Sequence, residues 1–223
     1  MILNFLRKYV NFKSPLSDYL SCYGLRNNLK IFDVGAHKGQ TSLYFNKLFK
    51  NSIIHTFEPS PELFLELSKN ISNFENIFPH NLALGNLDGK SYLSTPSSDL
   101  CGKIEHYSSI NSISVNINKI DSFCKSQKIS SIDLLKVDVE GNELEVLEGA
   151  NELISHNAIK SLYLECDFNP EDKQHSYFPD LIEYITSKNF AFHGLFEIVH
   201  YEKPYGIGYC NALFLNRTNF IPS

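Results

Sequence analysis

The chain has no tryptophan and no arginine-rich stretch, so it has little from which to build the aromatic and basic surfaces that grip a large polyanion. Positive charge is in deficit. Twenty Lys and Arg stand against 25 Asp and Glu, for a net charge of −5 at pH 7 and a pI near 5.9. No overall positive field draws in nucleic acid or an anionic membrane surface, and Lys38, Lys47, Lys50 and Lys69 are scattered as helix-solvating residues are. Nowhere do about 18 consecutive apolar residues occur, as a membrane-spanning helix requires. The five cysteines (Cys22, Cys101, Cys124, Cys166, Cys210) include no C-x-x-C pair, so there is no signature of a zinc knuckle or redox motif, and reduced thiols in a cytoplasm fit best. Segment Met1–Val10 carries its charges after its apolar residues and lacks a small-residue cleavage site, so it reads as an amphipathic cap helix and not as a signal. Internal repeats and low-complexity tracts are absent.

What is present is an ordinary globular mix, 43% hydrophobic and 20% charged, over 223 residues. That suits one domain at roughly 100–200 residues per domain, with residues 1–29 as an N-terminal helical cap and 30–223 as the main domain. Short apolar runs alternate with amphipathic segments, the pattern of βαβ units. Strands are expected at Lys30–Val34, Ser52–Phe57, Asn76–Leu84, Ser91–Ser94, Ser114–Asn118 (an edge strand), Asp133–Val139, Ser161–Cys166, Phe190–His200 and Asn211–Asn216. Helices are expected at Gln40–Phe49, from Pro61 through Ile71, at Ile120–Ser126, across Leu144–Ile154 and at Pro179–Lys188. The Ser-rich run Thr95–Asn111 reads as a surface loop of a length often used as a lid. Two late strands with little helix between them imply an antiparallel pair at one edge of an otherwise parallel α/β sheet. Ligands of such sheets bind beyond the carboxyl ends of the strands.

The strand ends carry the chemistry. The first reads Asp33-Val34-Gly35-Ala36-His37-Lys38-Gly39-Gln40. Its glycines permit a tight turn and close ligand approach, and the helix that follows offers free N–H groups. A ligand-free glycine turn has the same look. The spacing is G-x-x-x-G with an acid before it, which suits a cationic or hydroxyl-bearing ligand and fails the G-x-G-x-x-G pattern of a nicotinamide-dinucleotide site. Glu58, about twenty residues on, stands where a carboxylate accepts both hydroxyls of a ribose; alone, it is also an ordinary solvated acid. In Lys136-Val137-Asp138-Val139-Glu140-Gly141 the charged residues alternate onto one face of an extended segment, where they require a ligand, a metal or one another. Glu165 and Asp167 on the next strand, with Asp138, form an oxygen set for Mg²⁺. His193 and His200 are candidate bases. Tyr177, Tyr205 and Tyr209, with Gly206 and Gly208, form a candidate rim for an acceptor.

The segments Ile31–Gly39, Phe57-Glu58-Pro59, Asn81-Leu82-Ala83-Leu84-Gly85 and Ile132–Ala150 resemble the FkbM family of S-adenosylmethionine-dependent methyltransferases. The K-x-D-V-E-G-x-E core of the last is the specific part. The likeness spans roughly residues 30–168 and departs at His37, where the family usually has Asn. It implies a class I methyltransferase fold, Rossmann-like, with a seven-stranded mostly parallel sheet, helices on both faces and an antiparallel edge strand. Asp33, Gly35, Ala36, Gly39 and Gln40 would then surround the methionine part of S-adenosylmethionine, Glu58 and Pro59 the ribose, and Asn81 and Leu82 the adenine. Asp138 would face the sulfonium and the acceptor. Catalytic candidates are Asp138, Lys136 and His193, with Mg²⁺ as the alternative route to an activated hydroxyl. The implied activity is O-methylation of a sugar hydroxyl on a nucleotide-sugar or surface-glycan precursor. An antibiotic- or lipid-type acceptor, or a non-catalytic donor-binding module, are the alternatives. A second copy of the chain, but no nucleic acid, is among the expected partners.

Overall fold

The computed structural model describes residues 15–94, 102–109, 111–172, 174–200 and 206–219. The elements in chain order are α1 (Pro15–Cys22), β1 (Lys30–Val34), α2 (Gln40–Leu48), β2 (Ile53–Phe57), α3 (Pro61–Asn70), β3 (Ile77–His80), β4 (Ala83–Leu84), β5 (Gly89–Ser94), β6 (Ile104–Glu105) and β7 (Ser112–Asn118). They continue with α4 (Ile120–Gln127), β8 (Leu134–Val137), α5 (Glu143–Glu148), α6 (Asn151–Ser155), β9 (Ser161–Asp167), α7 (Phe178–Thr186), β10 (Phe190–Phe196) and β11 (Tyr209–Asn216).

A seven-stranded sheet in the order β10-β11-β9-β8-β1-β2-β3 forms the body. Strand β1 pairs in parallel with both β2 and β8, and β8 in parallel with β9. Strands flanked by helices on both sides are apolar without interruption, and all four residues of β8 and all seven of β9 are buried. Successive side chains feed opposite faces. Phe32, Leu135 and Leu164 join Leu147, Ile154 and Leu181 on one side. Ile31, Leu134 and Tyr163 join Leu20, Phe45 and Leu67 on the other. Each such side chain contributes about 1.5–3 kcal/mol by leaving water. The chain order reverses beside β1, with β2 on one side and β8 on the other, and this opens a crevice above their carboxyl ends.

The antiparallel strand is β11, bonded to β9 and to β10. It lies one place in from the edge, which β10 occupies. Its two-sided pairing buries every residue after Tyr209.

Several local expectations are corrected. The run Asn76–Leu84 is not one strand. It breaks after His80, and β4 leaves for a second sheet ordered β4-β7-β5-β6. Strand β7 is not an edge, because β4 and β5 flank it; its alternation reports one buried face and says nothing of its neighbours. The expected loop Thr95–Asn111 contains β6, while residues 95–101 and 110 lie outside the described residues. The single helix expected across Leu144–Ile154 is two, α5 and α6, parted at Gly149. A Cβ at Gly149 would lie 1.9 Å from the Gly85 carbonyl oxygen, so a side chain there would push the second sheet away. Segment Met1–Val10 lies outside the described residues; α1 places Leu16 and Leu20 against the sheet with Leu25 and Leu29. Among the described residues no helix is long and apolar enough to cross a membrane.

Candidate active site

The β1–α2 turn is held by its main chain. Gly35 (φ +82°) and Ala36 donate from their N–H groups to the Phe57 carbonyl at 3.1 and 2.9 Å. His37 is left-handed (φ +51°), and its N–H donates to Glu58 Oε2 at 2.9 Å. The backbone makes this contact, so the His37 side chain takes no part in it. Glu58 also accepts from Ser60 N–H at 2.8 Å. Burial pushes its carboxyl up to about 7 against those two hydrogen bonds, with nearby Asp33 adding to the rise. Asp33 lies below the turn, 1% exposed, and accepts from Ser42 Oγ at 2.5 Å. Burial raises it to about 6.

A carboxyl whose folded-state value is raised contributes stability that is complete below its unfolded value, near 4.5, and lost as pH rises through about 7. Wild-type stability should therefore fall between pH 5 and pH 8. In Glu58→Gln that fall should be smaller by about 2 kcal/mol. Urea denaturation of both proteins at the two pH values measures the difference, and equal slopes would mean that Glu58 is ionised throughout.

At the β8 end, Lys136 is 3% exposed, with Nζ 3.2 Å from Asp138 Oδ2, 2.6 Å from Asn211 Oδ1 and 5.6 Å from the Tyr163 ring. Burial alone would lower its affinity for a proton, but Asp138, Glu165 and Asp33 together hold it above the usual lysine value. Burial would likewise raise Asp138, but the charge and hydrogen bond of Lys136, the hydrogen bond from Glu165 and nearby His175 together outweigh it and hold the carboxyl below the usual value. Glu165 goes the other way. Its burial, with Asp138 as hydrogen-bond partner and neighbouring charge, pushes it up to about 9. Near neutrality the pair is one carboxylate and one acid, with Glu165 donating to Asp138.

The alternation read through Lys136, Asp138 and Glu140 stops early. Strand β8 ends at Val137, and Glu140 (φ +56°) and Gly141 (φ +91°) turn left-handed. Glu143 stabilises this turn. Fully buried, it accepts from Val139 N–H at 2.9 Å and Gly141 N–H at 3.3 Å, and Ser176 Oγ donates to its other oxygen. The G-x-E part of the sequence motif is thus a backbone lock.

A cavity of about 520 Å³ opens over these strand ends. Gly35, Ala36, Gln40, Glu58, Pro59, Leu82 and Asp138 line it, all residues the sequence had singled out. Asp33 and Gly39 are buried and Asn81 is exposed, and none of the three is among the lining residues. Asn81 Nδ2 donates to the Glu58 and Pro59 carbonyls at 2.9 and 3.0 Å, fastening the turn after β2. Lys136 faces an adjoining cavity of about 340 Å³, which shares Gln40, Thr41 and Asp138 with the first.

Two expectations are corrected here. His193 is not among the lining residues; it lies on edge strand β10, its ring edge-on to Tyr23 at 5.2 Å, and burial lowers its proton affinity. Asp138, Glu165 and Asp167 do not converge. Among the described residues the ligand atoms that come within 4.8 Å of one another belong to Asp167, Asp172 and His175. His200 is exposed beyond β10. Of the tyrosine rim, Tyr209 lines the cavity, and Tyr205 lies outside the described residues. Gln174 and His175 also line it and carried no periodic or motif signal. The hint was an imidazole inside the polar loop Asp167–Ser176, which leads out of a strand end.

The sequence profile of the FkbM methyltransferase domain matches residues 33–192. The chain is 28% identical to methyltransferase sdnD of Sordaria araneosa over 179 residues, covering 63% of this chain and 68% of that one. It is 25% identical to the 2-O-methyltransferase NoeI of Sinorhizobium fredii over 142 residues, covering 56% of this chain and 58% of that one. The chain thus spans little more than half of NoeI. Magnesium protoporphyrin IX methyltransferase from Synechocystis, solved with bound S-adenosylmethionine, superposes with a TM-score of 0.55 at 11% identity, over 90% of this chain and 76% of that one. That likeness establishes the fold. With the glycine turn and the K-V-D-V-E-G-N-E segment inside the matched span, the chain belongs to the FkbM methyltransferase domain family, and its fold is the class I methyltransferase architecture.

Proposed function

We propose that this protein transfers the methyl group of S-adenosylmethionine to a hydroxyl oxygen of a sugar, carried on a nucleotide or a surface-glycan precursor. The observation behind this reading is the position of Asp138, 32% exposed where the two halves of the cavity meet. On one side are the glycine turn, Glu58 and Leu82, a set suited to amino acid, ribose and adenine. On the other are Gln174, His175 and Tyr209, which offer hydrogen-bonding groups and an aromatic face to a polyol. The resemblance to a 2-O-methyltransferase supports the same acceptor class.

Methyl transfer forms an oxygen–carbon bond in line with the breaking sulfur–carbon bond, so alignment of the acceptor supplies much of the acceleration. The hydroxyl proton passes to the Asp138 carboxylate, which Lys136 keeps ionised and Glu165 orients by a hydrogen bond. The free N–H groups at the start of α2 suit the methionine carboxylate.

Calorimetric titration with S-adenosylhomocysteine should give micromolar affinity, about 10- to 100-fold weaker in Glu58→Ala, which loses charge-assisted bonds to the ribose. Labelled methyl should then enter nucleotide-sugars and not their pre-methylated forms. Binding without transfer to any hydroxyl acceptor would leave a donor-binding module, and transfer confined to apolar hydroxyl compounds would replace the sugar with a lipid- or antibiotic-type acceptor.

A further inference from the structure

The wall of the cavity beyond Asp138 contains an imidazole whose environment the methyl-transfer residues leave unexplained. His175 Nδ1 is fully buried and has no hydrogen-bond partner among the described residues. It stands 3.5 Å from Asp172 Oδ1 without bonding to it. Its ring is fixed, stacked on Tyr209 at 5.0 Å and 11°, with Nε2 3.6 Å from Glu165 Oε2. A hydrogen on Nε2, facing that carboxyl, leaves the Nδ1 lone pair directed toward carboxylate oxygens. Two acceptors facing each other in a mostly buried site repel unless a proton or a cation lies between them.

We propose that Asp167, Asp172 and His175 bind a first-row divalent metal ion in the loop behind the cavity wall, His175 being the one of the three that lines the cavity. The three ligand atoms already lie within 4.8 Å of one another. Asp167 is fully buried at the end of β9, and the loop is fastened around it: its N–H donates to the Ser176 carbonyl at 3.0 Å, and Asn169 N–H donates to Oδ1. Asp172 Oδ1 accepts from Gln174 and His175 N–H groups at 2.6 and 3.1 Å, which sets the approach of its carboxylate. Glu165 has the place of the outer carboxylate that metal-bound imidazoles hold through their second nitrogen. One imidazole and two carboxylates suit Mn²⁺, Co²⁺ or Zn²⁺ better than Mg²⁺. Three protein ligands also leave room for a water or a hydroxyl. If the methyl-transfer reading holds, that hydroxyl is the acceptor's, and the ion would ease its deprotonation.

The test uses the full chain, stripped with chelator and verified metal-free, and titrated with Co²⁺, Zn²⁺ and Mg²⁺ by calorimetry and, for Co²⁺, visible absorption. One equivalent of Co²⁺ or Zn²⁺ should bind, with Mg²⁺ about tenfold weaker or less. Asp172→Asn and His175→Gln, their folding checked by circular dichroism, should each weaken Co²⁺ binding about 10- to 100-fold. A wild-type protein that binds S-adenosylhomocysteine but no ion would overturn the site. Ion binding that survives Asp172→Asn unchanged would overturn it too. These readouts are independent of methyl transfer, so loss of the transfer reading leaves the metal result legible.

Discussion

Alanine at position 35 is expected to destabilise the fold by more than about 4 kcal/mol, enough to leave a protein of ordinary stability largely unfolded. An ideal Cβ there would lie 1.7 Å from the Asp138 carbonyl oxygen and 2.8 Å from its carbon. Both atoms are backbone, and the chain at Asp138 cannot retreat without breaking the hydrogen bond from its N–H to the Val34 carbonyl at 3.0 Å. Gly35 also sits at φ +82°, where an L side chain adds about 1–2 kcal/mol of strain. Gly24 separates the two costs. Its φ is +80°, yet nothing lies within 4 Å of the Cβ it would gain, so Gly24→Ala should lose only the conformational part. Urea denaturation followed by circular dichroism would measure both. Similar midpoints for the two variants would mean that β1 and β8 can part at their ends without loss, and the cavity floor would then not depend on this close approach.

That contact explains why the residues lining this end of the cavity were legible. A glycine turn, an acid at the next strand end and the K-V-D-V-E-G-N-E segment are local demands of backbone geometry, and local demands leave local patterns. The errors arose where distant segments decide. In Asn76–Leu84 only Pro79 and Asn81 speak against a continuous strand, and the break is fixed by Asn81 bonding to the Glu58 and Pro59 carbonyls and by β4 pairing with β7, more than thirty residues on. His193 looked available because alternation identifies a strand without ranking its place, and β10 is the edge strand, with β11 and β9 between it and β8. His175 was invisible for the converse reason. Its partner Tyr209 reaches it only through the β9–β11 register, which sets Tyr209 opposite Asp167.

Substituting Lys136 with methionine should cost about 3–5 kcal/mol, the penalty for removing one member of a buried ion pair. The ammonium is nearly sealed from solvent and is the only cation bonded to Asp138 among the hydrogen bonds described, while the Asp33 carboxyl adds to the pull on it. Methionine fills similar volume, so the loss would be electrostatic, with an added share from the unmet Asn211 Oδ1. The double-mutant cycle with Asp138→Asn distinguishes this from poor packing. If charge is the cause, Asp138→Asn should recover about 1–3 kcal/mol in the Lys136→Met background and cost stability in the wild type. The doubly substituted protein should then be folded and still bind S-adenosylhomocysteine, but transfer no methyl, because the proposed proton acceptor is gone. Additive losses would instead make Lys136 a packing residue. Methyl transfer retained by the double variant would remove Asp138 from the chemistry while leaving the proposed donor site untouched.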